Sequence, residues 1–154
     1  MTKNVFKIAS LMLITLALFI SSCSKDKQAE RRLERVNTWQ IAQITYQKAQ
    51  TSGFTSFNAK AATEYNCGTM IFDKNGSGNY DYMLDRQHRA GTISWTTTAE
   101  NLSFNYAAAT TTGYQAASYN ILNQTRTSVT IQGSEALVDG SGTFALNATF
   151  YLNK

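Results

Sequence analysis

Few side chains of this sequence could catalyse a reaction, and their spacing favours no known catalytic arrangement. His88 is the only histidine, so a Ser-His-Asp triad would have to use it, and no G-x-S-x-G sequence marks a strained nucleophile turn. We interpret His88 as a solvated turn residue. Asp81 and Asp85 share a predicted strand face, but stand about 13 Å apart along it, too far for paired carboxylate chemistry. The sequence therefore predicts no enzyme, no catalytic residue and no cofactor.

One stretch imitates the start of a calcium-binding loop. Asp73, Asn75 and Ser77 occupy its first, third and fifth positions, and Gly78 its sixth. The twelfth position, which should be a bidentate Glu, is Leu84, and the flanking residues alternate as strands rather than helices. We therefore predict a hairpin turn here and no calcium site. The lone histidine of the sequence also leaves no second nitrogen ligand, so we predict no metal site of that kind either.

The N-terminus has the pattern of an export signal. Lys3 and Lys7 precede the run 8–20, which is apolar except for one serine and one threonine. As a helix this run would reach about 20 Å, short of the roughly 30 Å of a bilayer's hydrocarbon core. A basic start, a short apolar run and small residues at its end predict a signal peptide over residues 1–22.

The end of that run, Ile20-Ser21-Ser22-Cys23, resembles the bacterial lipobox. The resemblance implies cleavage before Cys23 and attachment of acyl chains to its sulfur and amine. Two or three chains anchor a protein stably, whereas one does so only marginally. We therefore expect Cys23 to be lipidated and the protein to lie in the cell envelope, membrane-bound through this anchor. Ser24 stands where an Asp tends to retain lipoproteins at the inner membrane, which favours the outer membrane.

Without residues 1–22, 132 of the 154 residues remain, enough for one domain with one core. The signal carries two of the 14 basic residues and no acidic one, which leaves 12 against 10 and a net charge of +2. That excess is too small to indicate nucleic-acid binding. Cys67 has no cysteine partner besides Cys23, so we interpret it as a small buried residue entering the second strand, with a reactive thiol as the alternative.

Apolar and polar residues alternate with a period of two from Trp39 to the end, as in strands with one buried face. Short Gly-, Asn- and Ser-containing turns divide this region into eight predicted strands, at 38–47, 66–74, 78–85, 90–97, 101–107, 115–123, 127–133 and 142–152. Eight antiparallel strands in hairpin order remove their edges by closing. We predict an all-β fold, an eight-stranded up-and-down barrel, with a two-sheet sandwich as the alternative.

The predicted organisation is a signal peptide (1–22), a lipidated tether with a short helix (23–36) and a barrel domain (37–154). The barrel part resembles the small lipocalin-like lipoproteins of Gram-negative bacteria. The stretches on which this resemblance rests are NTWQI, CGTMIFDKNGSGNY, ISWTTTAENLSFNY and GTFALNATFYL. The resemblance implies that Trp39 packs at the closed end and that residues 48–65 form a lid over the mouth. Phe54 and Phe57 are the lid's candidate apolar anchors.

Aromatic residues dominate the predicted inner faces. The candidates to line a ligand cavity, or else to fill the core, are Tyr80, Tyr82, Trp95, Phe104, Tyr106, Tyr119, Phe144 and Phe150. An eight-stranded barrel is just wide enough to be filled by its own side chains, so the pattern leaves two functions open. One is a lipoprotein that binds a small apolar ligand in the barrel. The alternative is an envelope module with a filled barrel that contacts a protein or glycan, whose partner the sequence does not name.

Overall fold

The computed structural model describes residues 25–50, 61–106, 116–139 and 142–154. Its one described helix, α1, spans residues 25–34. The helix forms because this stretch is rich in Lys, Glu, Arg, Ala and Leu and lacks glycine and β-branched residues. The carboxylate of Asp26, in the first turn, also stabilises the helix through its attraction to the positive end of the helix dipole. Ala29 and Leu33 lie one above the other on its buried side.

The described residues then form eight strands that close into one barrel. Their bounds are Trp39–Gln50 (β1), Ala61–Phe72 (β2), Ser77–Leu84 (β3), Gln87–Thr97 (β4), Asn101–Tyr106 (β5), Ala116–Gln124 (β6), Ser128–Asp139 (β7) and Gly142–Asn153 (β8). Each strand pairs antiparallel with its neighbours in sequence, and β8 pairs back to β1, from Gln40↔Asn153 to Gln50↔Phe144. The predicted up-and-down barrel is confirmed, and the two-sheet sandwich is wrong.

Several strands run further than the sequence predicted. β1 continues to Gln50 and β2 begins at Ala61, so residues 48–50 and 61–65, which we expected in a lid, belong to the barrel wall. The reason is the ladder: residues 48–50 pair with β8 and residues 61–65 pair with β1, and these hydrogen bonds extend stretches of weak intrinsic strand propensity. The rest of the expected lid, residues 51–60 with Phe54 and Phe57, lies outside the described residues.

Helix α1 covers one end of the barrel. Leu33 and Val36 belong to the same buried cluster as the inward side chains of the strands. Trp39, the first residue of β1, is fully buried there, and its indole Nε1–H donates a hydrogen bond of 3.0 Å to the carbonyl oxygen of Leu33. The predicted helix and the packing of Trp39 at a closed end are thus present. We call this the helix end.

The opposite end of the barrel, called the far end, includes the tight β3–β4 turn at Asp85 and Arg86. Both turn residues have positive φ, at 51° and 61°. Another backbone irregularity lies in β2, where Gly68 has a φ of +139° next to a shift of register against β1. A Cβ at Gly68 would stand 2.6 Å from the Cα of Tyr82, so close packing of β2 on β3 requires glycine here.

Candidate functional site

The predicted aromatic residues meet inside the barrel. Tyr80, Tyr82, Trp95, Phe104, Tyr119 and Phe150 are buried and Tyr106 is half-buried. Six rings form a closed circuit with centroid distances of 5.1 to 6.2 Å, in the order Phe104, Tyr119, Phe150, Tyr82, Tyr80, Tyr106 and back to Phe104. We call these six side chains the aromatic layer. The side chain of Phe144 lies outside the described part.

Sequence reasoning did not single out Phe72, which extends this layer toward the helix end. Its ring stacks on Phe104 at 5.9 Å and meets Trp95 edge-on at 5.4 Å. Such spacings are those of rings in van der Waals contact. The described interior is therefore packed by the chain's own side chains from α1 up to the aromatic layer. A ligand inside the barrel would have to bind between this layer and the far end.

A polar cluster occupies the inner side of the far end. The hydroxyl of Tyr46 lies 3.0 Å from Oε1 of Glu64 and 3.2 Å from Oδ1 of Asp85, and it donates its single proton to one of them at a time. Tyr46 is buried. Burial, followed by the hydrogen bond to Glu64 and by the charges of both carboxylates, raises the pKa of Tyr46 well above its ordinary value. The phenol therefore stays protonated and acts as a donor.

Arg89 brings a positive charge into the same region. It pairs with Tyr82 across β3 and β4, it is only 6% exposed, and its guanidinium carbon stands 6.0 Å from the centre of the Tyr82 ring. A cation at this distance from an aromatic face is attracted by the ring quadrupole. Sequence reasoning missed Arg89 because the stretch RQHRAG read as a turn. Counting back by twos from Trp95 and Ile93 would have placed it on the inner face.

His88 and the two aspartates lie elsewhere than predicted. His88 belongs to β4, not to a loop, and its Nε2 lies 2.8 Å from Oδ1 of Asp81, with both side chains well exposed on the outer face. Asp85 lies in the turn and contacts Tyr46, so the expected shared face of Asp81 and Asp85 is wrong. The β3–β4 hairpin turns one residue earlier than the predicted strand end, and this separates them.

Cys67 is buried in the middle of β2, beside the register shift, and not at the entry to the strand. Burial, and after it the charge of Glu64, raises the pKa of the thiol, although a backbone hydrogen bond at Ile44 opposes this. A thiol kept protonated is a poor nucleophile, which weighs against the reactive alternative.

The calcium-like stretch forms a hairpin turn whose polar groups bond to one another. Oδ1 of Asn75 accepts hydrogen bonds from the backbone N–H of Ser77, at 3.0 Å, and from its hydroxyl. Gly76 takes a φ of 74° in this turn. Among the residues that the structure describes, no group of three His, Cys, Asp or Glu side chains is placed to hold a metal ion.

The helix end carries a second set of features, on the outer surface. Oδ1 of Asp26 accepts a 2.6 Å hydrogen bond from the N–H of Ala99 in the β4–β5 turn. Arg32 donates to the carbonyl of Gln124, whose side chain donates back to the carbonyl of Ala29. These bonds fix α1 across the ends of β5 and β6.

A groove of about 350 Å³ runs between α1 and β6, lined by Lys25, Gln28, Arg32 and Leu122 among others. A second, of about 620 Å³, lies on the other side of α1 near Glu30 and Trp95. Neither opens into the aromatic layer. In the described ranges, no helix is long and apolar enough to cross a bilayer.

Cys23, the predicted lipidation site, lies outside the described residues. Comparison of the chain with models of protein families, with curated proteins and with solved structures finds no match in any of the three. The closed eight-stranded antiparallel barrel with one short helix is consistent with a lipocalin-like fold.

Proposed function

We propose that this protein is a lipid-anchored, non-enzymatic envelope barrel that binds a small, largely apolar ligand at the far end. The observation that carries the proposal is the composition of that end. Arg89 is buried at the far end, and the buried Tyr46 hydroxyl bonds to Glu64 there, at a level where a purely structural core would be apolar. Buried polar groups reduce stability unless they are well partnered, so they concentrate where they serve recognition.

The aromatic layer supports the ligand's character. It gives the far end an apolar floor, and the polar cluster stands above it. An apolar floor with a few convergent polar groups suits a ligand with an apolar body and one polar or anionic group.

The lipid anchor rests on the sequence. Ile20-Ser21-Ser22-Cys23 follows an apolar run of export-signal length, and the resemblance to a lipobox makes Cys23 the attachment point. Outer-membrane placement follows from the absence of Asp after Cys23.

The filled middle of the barrel favours the second candidate, an envelope module that contacts a protein or glycan through its outer face. Interior side chains that touch one another from α1 to the aromatic layer leave that part of the barrel without space for a ligand. The two candidates differ in whether the far end binds a small molecule.

The test compares two naphthylamine dyes that share an apolar body, the neutral phenylnaphthylamine and the anionic anilinonaphthalene sulfonate. Native mass spectrometry of the protein extracted from a Gram-negative host first shows whether a molecule is retained. Dye binding is then titrated with the wild type, Arg89→Met and the matched control Arg86→Met, which removes a charge from the exposed turn.

We expect Arg89→Met to weaken the anionic dye by about tenfold or more, since a buried hydrogen bond to a charged group contributes roughly 1.5–3 kcal/mol. The neutral dye should be affected less, and Arg86→Met should match the wild type. If neither dye binds and no molecule is retained, the ligand-binding proposal is wrong and the interaction module remains.

A further inference from the structure

The outward side of α1 carries a row of basic residues. Ala29 and Leu33 face the barrel, and on the opposite side Lys27, Arg31 and Arg35 follow one another at intervals of four, all exposed. Residues four apart lie on one face of a helix. We call Lys27, Arg31 and Arg35 the basic stripe.

Charge is unevenly distributed between the two ends of the barrel. Eight of the 12 basic side chains that follow residue 22 lie at the helix end, namely Lys25, Lys27, Arg31, Arg32, Arg35, Lys74, Arg126 and Lys154. Five carboxylates lie there with them, those of Asp26, Glu30, Glu34, Asp73 and Glu100, which leaves an excess of three positive charges. The structure describes five other charged side chains, two arginines and three carboxylates, which together carry one net negative charge.

The proposed anchor is joined to this basic end. Cys23 stands two residues before Lys25, the first residue of α1, so at most about 7 Å of chain separates them. The hydrogen bond from Ala99 to Asp26 holds the first turn of α1 at the β4–β5 turn. A lipid on Cys23 would therefore hold the helix end, rather than the far end, at the bilayer.

We infer that the basic stripe docks on the surface of a bilayer that contains anionic phospholipid, with the far end directed away from the membrane. The inference deepens the proposed function, since it rests on the lipid anchor at Cys23. Its consequence is that a ligand reaches the far end from the aqueous side and not from the bilayer beneath the protein.

An exposed apolar side chain supports the same surface. Leu122 is 56% exposed on β6, beside the groove that Lys25, Gln28 and Arg32 also line. A large apolar side chain among basic ones suits the headgroup boundary of a membrane, where apolar area and charge attraction act together.

The attraction is strong enough to orient an anchored domain. A Lys or Arg near an anionic membrane surface contributes about 1 kcal/mol, or roughly a fivefold change in the ratio of docked to undocked protein. Glu30 and Glu34 on the same helix offset part of this. Charge reversal at Lys27 and Arg31 together should therefore lower the ratio by about 25-fold or more.

The experiment places one environment-sensitive dye on a cysteine at either of two exposed, uncharged positions, Gln28→Cys on α1 or Met83→Cys near the far end. The lipid blocks Cys23, and burial protects Cys67 from labelling. The full chain is reconstituted in vesicles of phosphatidylethanolamine with a minor share of phosphatidylglycerol, and in vesicles of phosphatidylcholine alone. Mass spectrometry of the same samples measures acylation of Cys23 separately.

We expect the dye at position 28, and not at 83, to brighten and to be quenched by brominated lipid in the anionic vesicles. Lys27→Glu combined with Arg31→Glu should abolish this, whereas Arg86→Glu, a single charge reversal at the far end, should not. Equal signals at both positions, equal signals in neutral vesicles, or brightening at 83 alone would overturn the inference.

Absence of acylation would refute the anchor but leave the docking surface testable. In that case the labelled chains, with Cys23→Ser, are tethered through an N-terminal histidine tag to nickel-chelating lipid. The same difference between positions 28 and 83 is then expected, and its absence rejects the basic stripe as a docking surface.

Discussion

Replacing Leu33 by alanine measures how far α1 belongs to the barrel. Leu33 is 0% exposed and packs in the same buried cluster as Trp39, and its carbonyl accepts the indole hydrogen bond. Truncating a fully buried leucine costs 2–5 kcal/mol, depending on how well the surroundings close over the space. Hydrogen bonds at Asp26 and Arg32 hold α1 on the barrel and limit how far it can settle inward, so we expect the free energy of unfolding to fall by about 3 kcal/mol, near the middle of that range.

Urea unfolding followed by tryptophan fluorescence is the assay, since Trp39 lies under the helix and Trp95 is buried near the same end of the barrel. The matched control is Leu122→Ala, which removes the same atoms from a side chain that is 56% exposed and should change stability by less than about 0.5 kcal/mol. If the two variants unfold at the same urea concentration, α1 does not contribute to the cooperative unit and our account of the helix end is wrong.

Three further outcomes follow from single positions. Gly68→Ala places a Cβ 2.6 Å from the Cα of Tyr82 at a φ of +139°, so thermal unfolding should show a loss of more than about 2 kcal/mol, and a neutral result would contradict the close approach of β2 and β3. The raised pKa of Tyr46 means that the unfolded chain loses this proton first, so stability should fall as pH rises above about 10. Tyr46→Phe should remove part of that loss, while Tyr65→Phe, at a 69% exposed tyrosine, should retain it, and parallel pH curves for all three proteins would refute this. Cys23→Ala should move the full-length chain from the detergent phase to the aqueous phase, and unchanged partition would exclude lipidation there.

The strand count and the barrel were predictable because their signals are local. Alternation in NLSFNYA or in the run from Phe144 to Leu152 marks a strand whatever its neighbours are, and short turns allow only hairpin order. Closure followed from the need to satisfy the edges of an eight-stranded sheet. The helix was readable from the stretch 24–36, in which Leu33 and Val36 are the only large apolar residues and need a surface to cover.

The strand ends and the polar cluster were not predictable in this way. The extension of β1 to Gln50 depends on pairing with β8, which is distant in sequence. Tyr46, Glu64 and Asp85 come from three separate segments and meet only because closure brings β1, β2 and the β3–β4 turn to one end of the barrel.

The sequence by itself determined the periodicity, the order of the strands and the lipobox-like end of the apolar run 8–20, since each depends on neighbouring residues. Only the tertiary structure decided that the aromatic side chains touch in a closed circuit and that Arg89 points inward. It also decided that α1, with its basic stripe, covers the end of the barrel at which Lys74, Arg126 and Lys154 also lie. The physical reason is that the register between strands decides which way each side chain points, whether it is buried and which charges meet at each end of the barrel. This register is set by the closed ladder as a whole.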